Sequence, residues 1–329
     1  MIKEIRKATA EEWDSMVDSA GPAVYFQTRE WFDIWADYAG FESVTKLICF
    51  GSRKKVLLPL SRMKLLGGLV QCHFLAPKVF GGFVTTDKLD ENEKEELFEF
   101  LERMKMLYCA VNPYDTLTNE FDKFTDKDFT QVLELSSGFE SIFKNWSKGH
   151  ASAAKKGIRE GITTEVASTE NDWRSYYGLY QDNLGRWGKK ATNHYTWKLF
   201  EIMYKKKSPH IKLWLAKFQK QLISGAICFY QNKHVAYWHS ATLKEFFKLN
   251  GPHVLQYHII KDACGKGFLY YDFLPSSRLE GVIHFKNGFS PQKKPVNIYM
   301  SSSMAVLASL RTILRTNAIY KLLMKDSGF

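Results

Sequence analysis

Three strand-like segments follow one another in the second half of the chain, and a helix and a further strand come directly after them. The three strands are predicted at Ile211–Phe218, Leu222–Tyr230 and His234–Ala241, with short polar turns between them. The helical pattern covers Pro252–Cys264, and the next apolar run covers Phe268–Phe273. Elements of these kinds in this order indicate an α+β or mixed α/β fold.

The first half of the chain repeats this order approximately, with helices, a hairpin, a helix and a strand. The predicted elements are a helix capped by Thr9, a helix over Thr28–Tyr38, a hairpin of Val44–Phe50 and Lys55–Arg62, a helix over Asn92–Leu107 and a strand over Tyr108–Val111. A repeat of this length indicates two similar lobes in tandem. The segment Ser136-Ser137-Gly138 indicates the boundary between them.

The remaining segments alternate helices with single strands. The predicted strands are Phe129–Leu135 and Ile162–Val166, and the predicted helices are Phe139–Lys148, Ala151–Glu160, Asp172–Asn183, Tyr195–Lys205 and Ser303–Leu323. Gly185–Asn193 is expected to be a polar stretch between two helices. Val282–Asn287 is expected to lead into an irregular basic segment.

The net charge of the chain favours anionic partners. Its 329 residues carry a formal net charge of +11, and 45% of them are hydrophobic, which is ordinary for a globular protein. Such a charge attracts nucleic acid, nucleotide cofactors, phosphorylated lipids and anionic membrane surfaces, and charge alone does not distinguish among them. A soluble protein that is merely basic stays an alternative.

The cysteines and the N-terminus indicate a reducing compartment. The five cysteines are scattered, at Cys49, Cys72, Cys109, Cys228 and Cys264. An odd number without a CxxC pair argues against a disulfide framework and against a zinc site. Met1–Ala10 lacks an apolar segment, and no apolar stretch approaches the ~20 residues of a spanning helix. We therefore expect a cytoplasmic protein without a metal, whose charge leaves peripheral contact with the inner membrane surface open.

Several short motifs of the second half stand in an order and spacing that resemble a known enzyme family. They are Phe143–Gly161, Asn183–Gly188, Ile223–Ile227, Tyr237–Ala241, Tyr271–Phe273 and Glu280–Lys286. Together they are similar to the FemABX peptidoglycan-bridge transferases and to related BioF2-like acetyltransferases. The similarity covers most of Phe139–Pro295, and it extends loosely to the first half through Phe26–Trp31 and Gly81–Phe83.

This resemblance implies two GNAT-like lobes, each a mixed sheet flanked by helices. The N-terminal lobe would contain residues 1–138 and a C-terminal helix in 301–329 that packs back on it, and the catalytic lobe would contain residues 139–300. Some family members carry a long helical hairpin arm in the second lobe. The segment between Glu170 and Ile211 leaves no room for that arm, so no contacts made by an arm are expected.

Transferases of this family move an acyl or aminoacyl group from an ester or thioester donor to an amine, and the resemblance implies a cation beside the reacting ester. Lys286 is the candidate for that cation, where it would stabilise an oxyanion or a leaving oxygen. Phe285 is the candidate for packing on a donor nucleoside. The alternative is a solvated lysine at a strand end beside a core phenylalanine.

Asp272 ends an apolar strand and is the second catalytic candidate, as a general base that accepts a proton from the amine. The alternative is that its carboxylate fixes the following turn through backbone hydrogen bonds. His239 and His284 flank the same predicted cleft, and we interpret each as a packed or surface histidine.

Asn250 and Gly251 precede Pro252 at the start of a predicted helix and are candidates for donor binding. Glycine allows close approach of the backbone, and proline suits a first helical turn. In GNAT-like folds the N-terminus of the corresponding helix binds the cofactor pyrophosphate. A structural turn explains the same residues equally well, and the lack of a full GNAT-type glycine-rich loop weakens coenzyme A as the donor.

Arg186 and Trp187 are candidates for binding the acceptor, since they are predicted to follow a helix in a polar loop. An arginine there could pair with a carboxylate or phosphate. A solvated arginine beside an anchoring tryptophan is the alternative.

Lys148, Lys155 and Arg159 are the other acceptor-binding candidates, because they form a basic stripe with Lys144 if one continuous helix runs through all four. Breaks at the glycines of this segment would disperse the stripe. A solvated charged face is the alternative.

The sequence therefore predicts an N-acyl or aminoacyl transferase that forms an amide on an amine of a cell-envelope precursor, either a peptidoglycan precursor or an amino sugar. The co-substrate is aminoacyl-tRNA or acyl-CoA, with no tightly bound cofactor and with an anionic acceptor. The alternatives are a non-catalytic binder of nucleic acid or of an anionic surface, and a degenerate transferase that has lost turnover.

Overall fold

The computed structural model describes residues 1–65, 70–188, 193–276 and 279–314. Packing divides the chain into two units, which are Phe129–Lys294 and the combination of Met1–Asp128 with the described residues from Pro295 onward. We call them the C-terminal and the N-terminal unit. The lobe boundaries predicted at residues 138 and 300 stay a prediction.

The N-terminal unit begins with alternating strands and helices. In chain order they are β1 (Ile2–Lys7), α1 (Ala10–Ser19), α2 (Arg29–Ala39), β2 (Glu42–Ser43), β3 (Lys46–Phe50), β4 (Lys55–Leu58), β5 (Ser61–Leu65), β6 (Val70–Phe74), α3 (Glu91–Arg103), β7 (Leu107–Ala110) and α4 (Thr116–Asn119).

The C-terminal unit contains the meander and the helices that flank it. In chain order the elements are β8 (Asp126–Glu134), α5 (Phe139–Lys144), α6 (Lys148–Arg159), β9 (Thr163–Val166), α7 (Glu170–Trp187), α8 (Trp197–Lys206), β10 (Ile211–Phe218), β11 (Gln221–Gln231), β12 (His234–Thr242), α9 (Gly251–Gly265), β13 (Tyr270–Asp272) and α10 (Glu280–Asn287). The chain then returns to the N-terminal unit through β14 (Gln292–Met300) and α11 (Ser302–Leu314).

Two groups of strands organise the N-terminal unit. A three-stranded sheet has the order β1-β3-β4, and the other strands follow the order β2-β5-β6-β7-β14. The predicted cap of α1 is confirmed, because the Thr9 hydroxyl accepts a hydrogen bond from the Glu12 N–H at 3.2 Å. In turn the Glu12 carboxylate accepts a hydrogen bond from the Thr9 N–H. The buried rings of α2, Trp31 and Trp35, pack edge to face with centroids 5.6 Å apart.

The sheet of the C-terminal unit has the order β8-β13-β12-β11-β10-β9. Long antiparallel ladders join β10 to β11 and β11 to β12. By contrast β12 and β13 are parallel and share only three residue pairs, from His234↔Tyr270 to Ala236↔Asp272. Since β12 continues to Thr242, the two strands part after the third pair. We call the opening between them the splay.

Helices α6 and α9 pack closely on one face of this sheet. Gly157 of α6 is buried, and a Cβ added there would come within 2.6 Å of the Val254 side chain of α9. Contact this close requires glycine. The core beneath includes Val235, Ile259 and Tyr271, all fully buried. This packed core lies under both strands of the splay.

The predicted mixed α/β class is confirmed, and the meander, the following helix and the following strand are confirmed as β10–β12, α9 and β13. The hairpin is confirmed as β3 and β4, with the strand pattern after Leu58 divided into a separate β5. The predicted final helix is described as far as Leu314, and residues 315–323 of that prediction lie outside the described residues.

Three segments differ from the prediction. The charged segment Ile2–Lys7 is a strand, because pairing with β3 compensates for a sequence that lacks alternation of apolar residues. Glu280–Asn287 is a helix, although its eight residues are too few to show a helical period. The basic segment expected to be irregular contains strand β14, which pairs with β7.

Candidate functional site

The splay is the irregular point of the C-terminal sheet. On its β12 side, Ile227 of β11 pairs with His239, whereas Cys228 pairs with Tyr237. Trp238 is therefore an extra residue, which is the arrangement of a β-bulge. Bulges redirect side chains and are frequent beside active sites. The parting strands and the bulge identify this place as the candidate active site.

Asp272 fixes the chain where it leaves β13. Its carboxylate is fully buried and accepts hydrogen bonds from the Thr130 hydroxyl and, at 2.7 Å, from the Leu274 N–H. His234 Nε2 lies 3.3 Å from the same carboxylate. Leu274 has a φ of 59°, a left-handed conformation that a leucine adopts only when its surroundings impose it. These contacts agree with the alternative role of Asp272 in the turn, and its role as a general base stays a prediction.

Lys286 binds this same turn. The side chain is 5% exposed, and its Nζ donates to the Leu274 carbonyl at 2.8 Å and to the Ser276 hydroxyl at 2.7 Å. The alternative of a solvated lysine at a strand end is wrong, because the residue lies on helix α10 and its ammonium is buried. A buried ammonium must be satisfied by polar partners, and the turn supplies them. The Lys286 side chain thus binds the backbone at Leu274, two residues after the last paired residue of β13.

Phe285 lies beside Lys286 on α10 and is half-buried. Its ring packs against His253, with centroids 5.3 Å apart, and against Phe289, with centroids 5.1 Å apart. These contacts belong to the core of the unit, and stacking of Phe285 on a donor nucleoside stays a prediction. Gln131 of β8 holds the far side of α10 through a bond to Asn287 at 2.8 Å.

The N-terminus of α9 follows the expected turn. Asn250 has a φ of 64°, in the left-handed region, and Gly251 is buried where a Cβ would lie 3.2 Å from the side chains of Ile223 and Ser224. Both residues thus have a structural reason for their identity. Binding of donor phosphate by Asn250 and Gly251 stays a prediction.

Arg186 and Trp187 are not in a loop, because α7 continues to Trp187. They form the last helical turn, where the Arg186 guanidinium donates to the Asn183 side chain at 2.7 Å. The guanidinium carbon also lies 4.8 Å from the centroid of the Phe247 ring and 5.9 Å from that of Trp187. Both rings are exposed, by 49% for Phe247 and 41% for Trp187. Sequence reasoning missed Phe247, which lies in a short helical turn far along the chain.

The continuous basic stripe is wrong, because the helix breaks between Lys144 and Lys148. Lys144 ends α5 and Lys148 begins α6, whereas the glycines expected to break the helix lie inside α6. Lys148, Lys155 and Arg159 are exposed and spaced seven and four residues apart on α6, so they share one face. Three of the four predicted cations therefore stay together.

His239 is a packed histidine, as interpreted from the sequence. Its Nδ1 lies 2.6 Å from the Tyr176 hydroxyl, and burial among aromatic side chains lowers the pKa of His239 to about 3. An imidazole of such low pKa is a poor proton acceptor near neutral pH. His284 lies on the exposed face of α10.

A cavity of about 370 Å³ lies in the N-terminal unit, and none of the residues described above lines it. Gln27, Asn112 and Asp115 line it, and burial raises the pKa of the Asp115 carboxyl to about 6. Gln27 accepts a hydrogen bond from Asn112 at 3.0 Å, and Asp115 accepts from the Thr118 N–H. Gln27, Asn112 and Asp115 thus form hydrogen bonds with neighbouring protein groups.

Two features relevant to partners concern only the described part of the chain. No helix there combines the length and the apolar composition that crossing a bilayer requires. No group of three His, Cys, Asp or Glu side chains is arranged there to hold a metal ion.

Comparison with known proteins identifies the class of this fold. Residues 147–287 match the family model described as an acetyltransferase (GNAT) domain. The structure is similar to a crystal structure of FemX, with a TM-score of 0.71 and 16% identity over 93% of this chain and 99% of that chain. No curated protein sequence shows a significant match.

Two further solved structures share the fold at lower similarity. The C-terminal domain of a putative synthetase from Agrobacterium fabrum gives a TM-score of 0.56 with 10% identity, covering 93% of this chain and 95% of that chain. The L-PGS structure from Bacillus licheniformis gives 0.54 with 11% identity, covering 93% and 96%.

The C-terminal unit therefore contains a GNAT domain. The chain as a whole has a fold similar to that of FemX, and the match to the GNAT domain covers residues 147–287.

Proposed function

We propose that this protein transfers an acyl or aminoacyl group to an amine of a cell-envelope precursor and so forms an amide. One observation carries the proposal: the buried Lys286 ammonium is bound to the turn where β12 and β13 part. The GNAT match covers this place, and the fold shared with FemX and with the lysylphosphatidylglycerol synthetases favours an acceptor in the envelope.

The proposed reaction joins the acceptor nitrogen to the carbonyl carbon of the donor. The uncharged amine attacks, a tetrahedral intermediate forms, and the bond from the carbonyl carbon to the ester oxygen or thioester sulfur breaks. The leaving RNA hydroxyl or thiol takes up the proton that the amine releases. Lys286 would stabilise the developing negative charge, because a cation held in a buried place interacts more strongly than one in water.

The remaining candidates take supporting roles in this proposal. Asp272 holds the turn or accepts the proton of the amine, and Phe285, Asn250 and Gly251 bind the donor. The exposed cations bind an anionic acceptor, namely Arg186 beside Trp187, and Lys148, Lys155 and Arg159 on α6. The donor is aminoacyl-tRNA or acyl-CoA, and the net charge of +11 favours the former.

The test is to incubate the protein with charged tRNA or acyl-CoA and a panel of amine acceptors, and to detect amide products by mass spectrometry. Lys286→Met keeps the length of the side chain and removes its charge, and we expect a loss of about 10²–10³-fold in kcat. Lys205→Met is the matched control, because Lys205 is an exposed lysine of α8 that pairs with Glu201. Full activity of folded Lys286→Met would remove this residue from the mechanism.

Absence of any product, with binding of tRNA or anionic vesicles that weakens steeply between about 50 and 200 mM salt, would instead support the non-catalytic binder. A protein that binds a precursor without turnover would be the degenerate transferase.

A further inference from the structure

The N-terminus of α6 is attached to the last turn of α10 on both sides of Lys286. The Ser147 N–H donates to the Gly288 carbonyl at 2.9 Å. His150 Nε2 lies 2.9 Å from the Phe285 carbonyl oxygen. Because a carbonyl can only accept, Nε2 carries the hydrogen and His150 is the donor. The Phe285 carbonyl also accepts from the Gly288 N–H at 3.2 Å, so His150 adds a second donor to the carbonyl that closes this turn.

The imidazole of His150 is held in this position by close packing. Its ring packs edge to face on Phe289 and on His253, with centroids 4.7 and 4.6 Å apart. A Cβ added to Gly288 would collide with the ring, so the backbone of α10 approaches it as closely as glycine allows. Ser147 Oγ lies 3.2 Å from His150 Nδ1, which fixes the other ring nitrogen.

We infer that His150 is a positioning residue for Lys286: its hydrogen bond to the Phe285 carbonyl fixes the turn of α10 that sets the place of the Lys286 ammonium in the splay. The role of Lys286 in this inference rests on the proposed function, whereas the hydrogen bonds that join α6 to the end of α10 are independent of it. Burial lowers the pKa of His150, so the ring is neutral at neutral pH and Nδ1 is free to accept from the Ser147 hydroxyl.

The first test measures the attachment without any transfer reaction. His150→Phe keeps a ring and removes the donor, His150→Gln keeps a donor N–H of similar reach, and His258→Phe is the control on a half-buried histidine of α9. In His150→Phe we expect the amides of the last turn of α10 to exchange hydrogen about three- to tenfold faster, the effect of one lost hydrogen bond. We also expect labelling of Lys286 by an amine-reactive reagent to rise by a similar factor.

The second test uses turnover. We expect His150→Phe to lower kcat with an unchanged KM for the donor, and His150→Gln to restore most of it, whereas a merely structural role would lower stability without this split or this rescue. Unchanged exchange and labelling in folded His150→Phe would overturn the inference, and so would faster exchange with an unchanged kcat. If the wild type forms no product, the proposed function fails, and exchange and labelling alone decide whether His150 holds Lys286.

A double-mutant cycle keeps the inference testable if His150→Phe does not fold. Gly288→Ala should speed exchange in α10 when His150 is present, because the added methyl meets the ring. In the His150→Ala background the methyl has space, so we expect the two effects to be non-additive. Additive effects would contradict the contact.

Discussion

In the N-terminal unit the chain that leaves β7 is held by the buried Asp115, whereas in the C-terminal unit the chain that leaves β13 is held by the buried Asp272. Asp115 accepts hydrogen bonds from the N–H and the hydroxyl of Thr118 and caps the short helix α4. Asp272 accepts from Leu274 and Thr130 and forces a left-handed leucine. In both units a buried carboxylate thus accepts hydrogen bonds from the chain that follows a strand.

The difference lies in what else binds each turn. In the C-terminal unit Lys286 donates to the turn, and it is the one lysine in the described part of the chain whose side chain is almost fully buried. At the other turn the Thr118 N–H and hydroxyl donate to Asp115, and burial raises the pKa of its carboxyl in spite of these bonds. Both aspartates bind the backbone of their own turns, whereas Lys286 is present in one turn only, which is consistent with its proposed catalytic role.

The largest expected effect on stability is that of Asp272→Ala. Removing a fully buried carboxylate leaves the Leu274 N–H and the Thr130 hydroxyl without their acceptor, and we expect a loss of about 4 kcal/mol in the free energy of unfolding. Urea denaturation measures it, with the exposed Asp18→Ala as the control. A loss below about 1 kcal/mol would mean that Asp272 does not hold the turn and would revive its role as a base.

Asp115 should make stability depend on pH in the opposite sense to a paired carboxylate. Its pKa is about 6 in the folded protein against an ordinary value of 3.8, so the folded state binds more protons between these values. The contribution of Asp115 to stability should therefore be greatest at low pH and fall by about 3 kcal/mol as pH rises from about 4 to 7. Comparing denaturation of the wild type and Asp115→Asn over this range isolates the effect, which would be refuted by parallel curves.

Replacing Gly82, which lies beside the turn at Asp115, with a larger residue should lower the free energy of unfolding. A Cβ at Gly82 would collide with the Asp115 carboxylate and approach the Thr118 hydroxyl to 2.9 Å, so Gly82→Ala should cost about 1–3 kcal/mol. Gly21→Ala is the matched control, because nothing lies within 4 Å of its added methyl. Equal stability of the two variants in urea would show that the turn at Asp115 yields easily.

The smallest expected effects on stability come from removing single threonine hydroxyls that bind Asp272 or Asp115. Thr130→Val removes one donor to Asp272 and should cost about 1 kcal/mol. Thr118→Val removes the hydroxyl that also accepts from the Phe83 N–H at 2.8 Å, so it should cost more. The reverse order in thermal unfolding would contradict the account of the two turns.

Much of the fold follows from patterns that are local in sequence. The alternation of β10–β12 and the cap at Thr9 require only neighbouring residues, and they predicted the elements to within a few positions. Strands β1 and β14 were not predicted, because their polar segments are stabilised by strands distant in sequence.

The candidate site was predictable only through its residue types. The resemblance selected Lys286, but no local pattern shows that its ammonium is buried against Leu274 and Ser276. His150 and Phe247 were missed for the same reason, since their partners lie more than fifty residues away along the chain. Burial and pairing across such distances are properties of the fold.

The most direct test of the central claim is the position of a donor in the splay. A crystal structure with a non-hydrolysable aminoacyl-nucleoside or acyl-CoA analogue should place the carbonyl oxygen of the analogue about 3 Å from Lys286 Nζ. An analogue bound in the cavity beside Asp115, or anywhere remote from Lys286, would contradict it.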